Sequence, residues 1–514
     1  MNVKKYAAPD GALFLILMKL QICRAYGAKG EAMKRFFRLI KIVLQLAIVS
    51  ICLFGYVLHS QSGIFREFQA ALLSVEWMLL ACLVVWCGTF LFLTFDLNDL
   101  PLIGLLLIAI AMFFISYAAS LPGVDAVILL AGVTLGRGTG LLLKAEDRGQ
   151  KSDSGNVSEL WPPDSGLRFF LVGLVVLLAF SSWWHLDMSD NYYHGPRWMG
   201  LWDNPNIYGM LMGAGLVLAI GLLTAKNAEN AEKNSNSSFR FFMRSLRSFA
   251  VIDSIILFIA AGMMAVGLFF SYSRGVWVGT AVGLLYLARC YGKFKWRLVL
   301  PGILVVAAVV GLFWHSTADT DQWYLKRLDV SRPSAQHRVS AWRGALQMMW
   351  DHPLGVGWNQ AVSVYDKNYL PPEGGAAALT MNSYLMLGTE LGLPGLVCFV
   401  GYVGLCFRRS RPHLTLTLSP PAAGSGEGIN PTPAPSSLPS PPPWEKERMR
   451  GSASADSVIV AQQESLRAAC LASALVFAVA FWFDGGLFTL ATAAVFWILL
   501  ELGTAQLKSG KWKL

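Results

Sequence analysis

Residues 336–358 read QHRVSAWRGALQMMWDHPLGVGW and lie within 316–380, a long polar stretch set between two strongly apolar ones. Val339, Trp342, Leu346 and Met349 fall at i, i+3, i+7 and i+10, a spacing that predicts a helix with one apolar face. Arg338 lies one turn before Trp342, so both can face one site. Pro353, Gly355 and Gly357 then end the helix, and the expectation is that they leave backbone amides open to a ligand. Such a stretch reads as a structured loop held by an apolar frame.

The frame follows from composition. Of 514 residues, 55% are hydrophobic and 14% charged, with a mean hydropathy of +0.49. That excludes a soluble domain around one ordinary core and indicates a polytopic membrane protein. Runs long enough to cross ~30 Å of hydrocarbon occur near 39–58, 70–94, 102–120, 124–143, 168–184 and 206–224. Others follow near 249–271, 274–291, 298–315, 380–407, 466–484 and 486–502. The expected fold class is all-α, a polytopic membrane protein of about twelve transmembrane helices with one large extracytoplasmic loop.

The chain then divides into an N-terminal cytoplasmic segment 1–38, helices one to nine within 39–315, the large loop 316–379 and a tenth helix at 380–407. A low-complexity cytoplasmic linker 408–465, the last two helices within 466–502 and a cytoplasmic tail 503–514 complete it. Residues 11–22 are apolar after Lys4 and Lys5 but lack a clear cleavage pattern, so a surface-lying or over-extended N-terminus is expected. Two polar stretches, 225–239 and 412–444, cannot bury a core and read as disordered linkers. The sharper alternative for 431–443 is a proline-rich ligand for a partner domain.

Charge sets the orientation. The net charge of +10 comes from short basic clusters beside apolar runs, such as Arg35, Arg38, Arg240, Arg244, Lys293, Lys295, Arg408 and Arg409. These are topology signals rather than a nucleic-acid-binding domain, and they place 316–380 outside the cytoplasm. By the same alternation Arg197 and Arg274 share the compartment of Arg338. All eight cysteines lie in or beside apolar segments, without disulfide or zinc spacing.

Chemistry is concentrated in few places. In PRWMGLWDNPNIYGML (196–211), Asn204, Pro205 and Asn206 suit a helix start, and a ligand role for Asn206 stands beside capping. Arg197 there opposes the positive-inside trend and needs an anionic partner or water. FFSYSRGVWVGT (269–280) puts Arg274 between two apolar runs, as a bidentate phosphate ligand or as a structural or snorkelling cation. In the loop, Arg338 and Arg343 can bind phosphate while Trp342 packs on a sugar or lipid; the alternative is a helix lying on the membrane. His337 and His352 are candidate bases or simply solvated. Among the acids Glu76, Asp125, Asp253, Glu390 and Asp484, which could also suggest a proton-coupled transporter, Glu390 stands out because it lies in MNSYLMLGTELGLPGL (381–396).

Taken in order, Arg197 with GLWDNPN, SYSRG, Arg338 with Trp342 and PLGVGW, and NSYLMLGTELGLPGL resemble the O-antigen ligase and polymerase family of bacterial envelope proteins. The resemblance covers residues 168–407. It implies an inner-membrane enzyme with its site facing the periplasm, moving a glycan from a polyprenyl diphosphate carrier to an acceptor sugar of lipopolysaccharide or other surface polysaccharide. No nucleotide sugar, cofactor or metal is implied. Arg197, Arg274 and Arg338 would hold the diphosphate, with Asn206, Trp342, Arg343, Gly355, Gly357, Asn382 and Tyr384 around the substrates. The sequence departs from the family at Met381, where a histidine usually precedes Asn-Ser-Tyr. A thioether cannot take the acceptor proton, so Glu390, His352 or Asp366 would act instead, or no base is needed, or the chain binds without catalysing. A transporter or flippase for the same lipid-linked glycans is the rival reading, and it would show internal repeats and helices broken near the midplane.

Overall fold

The computed structural model describes residues 39–53, 99–118, 124–152, 165–183, 197–202, 204–233, 243–291, 333–370, 382–409 and 463–504. The described elements are helices joined by turns. In chain order they are α1 (Leu39–Leu53), α2 (Leu100–Ala118), α3 (Val124–Ser152), α4 (Ser165–Trp183), α5 (Pro205–Lys233), α6 (Met243–Phe270) and α7 (Arg274–Tyr291). Then come α8 (Pro333–Asp351), α9 (Ala361–Asn368), α10 (Ser383–Glu390), α11 (Gly392–Arg409), α12 (Gln463–Ala480) and α13 (Leu490–Thr504). The expected runs at 70–94 and 298–315, the N-terminal segment 1–38 and linker residues 410–462 lie outside the described residues.

Among the described residues, three helices are long and apolar enough to cross a membrane: Pro205–Ala225 of α5, Ile252–Phe270 of α6 and Gln463–Ala480 of α12. Their environment differs by depth in the bundle. On α6, Ile252, Ile255, Phe258 and Ile259 are exposed while Leu257, Ala260 and Met264 are buried. A row of isoleucine and phenylalanine open to the outside suits hydrocarbon, not water.

Small residues let the inner helices approach. Gly275, Gly279 and Gly283 recur every fourth residue on α7 and form one stripe along it. A Cβ at Gly279 would lie 2.7 Å from the Val476 carbonyl oxygen, and one at Gly283 would lie 2.7 Å from that of Ala472. α7 therefore packs backbone to backbone on α12, which fixes the position of Arg274 at its first turn. Gly132 and Gly136 of α3 similarly admit Trp497 of α13, the Cβ positions falling 2.7 Å from its ring and 2.6 Å from its carbonyl oxygen.

The expected tenth helix at 380–407 is two helices. α10 ends at Glu390, and Gly392 at φ +75 turns the chain into α11. The break is enforced by neighbours, since a Cβ on Gly392 would meet the Pro353 carbonyl oxygen at 2.5 Å, and Leu393 N donates to that same oxygen at 2.9 Å. Hydropathy runs unbroken through this point, so only the Gly-Leu-Pro-Gly run signals the bend.

A second correction concerns α8. The single apolar face expected of Val339, Trp342, Leu346 and Met349 is split: Val339 and Leu346 are exposed, while the buried face is Ala341, Ala345, Met348 and Met349, with Trp342 at its edge. Close packing explains the choice: a Cβ on Gly344 would lie 2.8 Å from the Tyr365 ring and 2.9 Å from the Tyr369 carbonyl oxygen. This small-residue face joins α9 and α10 in a separate small core with Ala361, Tyr365 and Leu385. Tyr369 donates to Asp351 Oδ2 at 2.8 Å, closing α9 on α8. That bond to a carboxylate raises the Tyr369 phenol above its ordinary pKa.

At the far ends of α11 and α13 lies a buried charge network. Asp99 pairs with Arg137 and, at 3.4 Å, with Arg409; Arg137 also reaches Glu501 at 3.2 Å, and Tyr402 donates to Glu501. With Glu501 and Asp99 1% and 3% exposed, removing one partner leaves a buried charge uncompensated. Glu501→Leu is expected to lower stability by about 3–5 kcal/mol, measured by denaturant unfolding in detergent. Unchanged stability would mean that the network contributes nothing to the fold.

Candidate functional site

At the opposite end of these helices, four segments meet. Asn204 Oδ1 accepts from Asn206 N at 2.8 Å and Pro205 opens α5, so Asn204 supplies the cap. This frees the Asn206 side chain for another task. Asn206 Oδ1 accepts from Arg197 Nη2 at 3.0 Å, while its Nδ2 donates to Asp484 Oδ2. Arg197 Nε donates to the Ser271 carbonyl at 3.0 Å, so the arginine ties the start of α5 to the turn between α6 and α7. Arg197 is 8% exposed, and its partners are what make that burial affordable.

Arg274 begins α7 on the same turn, where Tyr272 adopts φ +49. Gly275 presses on Phe483, its Cβ position 2.5 Å from the ring, so Arg274 stands one residue from a contact with the segment carrying Asp484. Its side chain is exposed, and no carboxylate pairs with it among the described residues. A cation at a helix N-terminus adds to the positive end of the dipole, making this corner a locally positive one.

The Asn-Ser-Tyr run completes the corner. Asn382, fully buried, caps α10 by accepting from Tyr384 N at 3.0 Å and Leu385 N at 3.1 Å. Ser383 Oγ donates to the Asp484 carbonyl at 2.8 Å and accepts from Leu487 N at 3.2 Å. Tyr384 donates to the Ala478 carbonyl at 2.6 Å. The motif thus anchors α10 on the α12–α13 turn, and the Tyr384 hydroxyl is engaged in that anchoring. Trp482, 45% exposed, has its ring centroid 5.8 Å from both Trp342, which it meets edge to face, and Tyr384, to which it is tilted.

The PLGVGW segment differs from expectation. Its amides are occupied by the protein: Gly355 N donates to the His352 carbonyl at 2.9 Å, Gly357 N to that of Glu390 at 3.1 Å, and Val356 N to that of Thr389 at 2.9 Å. Gly355 at φ +83 and Gly357 at φ +97 let the chain fold against Glu390 and Ser116. Trp358 then inserts fully, its Nε1 donating to the Ala109 carbonyl at 2.9 Å and its backbone N–H to Ser116 Oγ at 2.7 Å. The glycines therefore serve packing, and the expectation of open amides is corrected.

The remaining candidates are spread out. Glu390 is 1% exposed at the other end of α10 from Asn382, roughly 10 Å along the helix. Its Oε1 accepts from Asn359 N at 3.2 Å. His352, Arg343 and Asp366 are exposed on the α8–α9 side. Arg338 lies on α8, but its side chain and Met381 lie outside the described residues. Asp484 was legible only as a helix-end acid followed by two glycines; the contact that gives it a role is with Asn206, 278 positions away.

Among known proteins, a search of curated sequences finds no match. Residues 259–400 match the family model described as O-Antigen ligase. The match runs from within α6 to within α11 and includes Arg274 and Asn382–Tyr384, whereas Arg197, Asn206 and Asp484 fall outside it. That segment is similar to the O-antigen ligase family, in line with the resemblance read from the motifs.

Proposed function

We propose that this protein transfers a glycan from a polyprenyl diphosphate carrier to an acceptor sugar, at the non-cytoplasmic face of the bacterial inner membrane, in the assembly of surface polysaccharide or lipopolysaccharide. The observation that carries the reading is the pairing of an exposed Arg274, unpaired with any carboxylate among the described residues, with the buried Arg197–Asn206–Asp484 network beside it. Departure of a lipid diphosphate builds negative charge, and guanidinium groups fixed before the reaction stabilise it without reorganising. Arg197 is held by two of its nitrogens, which is the rigidity that such a role needs. Arg338 is the third member of this clamp on the strength of the family resemblance. Trp342 and Trp482 offer aromatic surface for a sugar next to it.

A transporter for the same lipid-linked glycan gains some support from the break between α10 and α11. Yet α11 continues for 18 residues beyond the break, or ~27 Å. The interruption therefore belongs to one end of the bundle, where a membrane-face enzyme needs it, rather than the middle.

Sidedness tests the proposal. In sealed proteoliposomes of defined orientation, with carrier-linked glycan in the bilayer and a membrane-impermeant acceptor on one side only, glycan should reach acceptor presented on the side where a label at Lys367 reacts. Transfer only to acceptor on the opposite side would refute the placement of the site, and movement of intact donor between leaflets without transfer would favour the transporter.

A further inference from the structure

The face of α8 turned away from its small core carries Val339, Leu346 and Trp350, which are 56%, 55% and 82% exposed. At 3.6 residues per turn, Val339, Arg343, Leu346 and Trp350 share an arc of about 60°. Ala341, Gly344, Ala345 and Met348 take the buried side. The apolar row does not stop with the helix. Leu354, 69% exposed, continues it across the turn. Leu393 comes next, because its N–H donates to the Pro353 carbonyl at 2.9 Å. Val397 and Val400, 67% and 49% exposed, carry the row down α11.

We propose that α8 lies in the plane of the membrane interface, with this face entering the boundary between headgroups and acyl chains, so that the phospholipid covering α11 also covers α8. Two observations favour lipid over water or a second copy of the chain. The exposed row is continuous with the outer face of α11, whose length of ~27 Å, closed by Arg408 and Arg409, is close to the thickness of bilayer hydrocarbon. The row also spans 339 to 350, about 16 Å of helix, so a helix standing upright would hold Val339 in water. Trp350 is of the type that favours the interface, and Arg343 on the same arc can extend its guanidinium to lipid phosphate. Apolar contact plus a basic side chain is the composition of an interfacial helix. This placement is independent of the glycan-transfer reading. It sets α8 at the depth where any lipid-borne diphosphate resides.

The test uses the full chain with a photoreactive benzoylphenylalanine at position 339, 346 or 350 in turn, and at the exposed Asp366 position of α9 as reference. Each is reconstituted in vesicles of phosphatidylethanolamine and phosphatidylglycerol with a radiolabelled phospholipid, and irradiated. Lipid adducts several-fold above the reference at all three positions are expected. Adducts no greater than the reference would overturn the proposal, as would adducts at 350 alone, which would mean an upright helix. Cross-links to a second copy would overturn it in favour of a protein partner. The three positions are surface-exposed, so failure of one variant to fold leaves the other two to decide.

Discussion

Replacing Arg274 by Lys should lower glycan transfer by about 10²- to 10³-fold, the loss seen when one fixed donor to developing negative charge is removed, with folding unaffected. Lysine keeps the charge but presents it as a mobile point, and it cannot offer two parallel N–H groups to a diphosphate. Folding is spared because the Arg274 side chain is exposed and makes no ion pair among the described residues. Arg197→Lys should behave differently. It strands the Asn206 oxygen and the Ser271 carbonyl that the guanidinium now serves, so stability falls together with activity. Steady-state rates and thermal unfolding of both variants separate the two roles. Wild-type transfer by the Arg274 variant would reduce that arginine to a membrane anchor.

Met381→His should raise transfer by up to about 10²- to 10⁴-fold, the usual contribution of a positioned general base, without tightening donor binding. Position 381 immediately precedes Asn382, whose buried side chain fixes the start of α10 beside Asp484. Its neighbour in sequence, Asn382, is held rigidly at the corner that carries Arg197 and Arg274. Glu390, in contrast, sits roughly 10 Å along α10 and is enclosed by the 355–359 turn. An unchanged rate in an already active protein would move the search for the base to His352 or Asp366, both exposed. If neither form transfers while both bind carrier, the protein binds lipid-linked glycan without catalysing its transfer.

Much of the frame was legible because membrane helices announce themselves by composition, and the corner at Arg197, Arg274 and Asn382 was legible because each residue is polar at an apolar boundary. What was not legible depended on packing. The apolar count on α8 favoured Val339 and Leu346, but close approach selects small side chains, and Ala341, Gly344 and Ala345 won the interior. The amides of Gly355, Val356 and Gly357 looked free because sequence alone cannot show that His352, Thr389 and Glu390 would supply their acceptors. The network of Asp99, Arg137, Tyr402, Arg409 and Glu501 joins residues as far as 364 positions apart, and its local signals were only Arg137 and Glu501, charges within apolar runs.

The most direct measurement is the stoichiometry of transfer by the purified protein, given polyprenyl diphosphate-linked glycan and an acceptor saccharide, with no nucleotide sugar added. One carrier diphosphate should be released for each glycan joined to acceptor, and both products should fall together in the Arg274→Lys variant. Carrier that stays glycosylated, or is released without any acceptor being extended, would contradict the account.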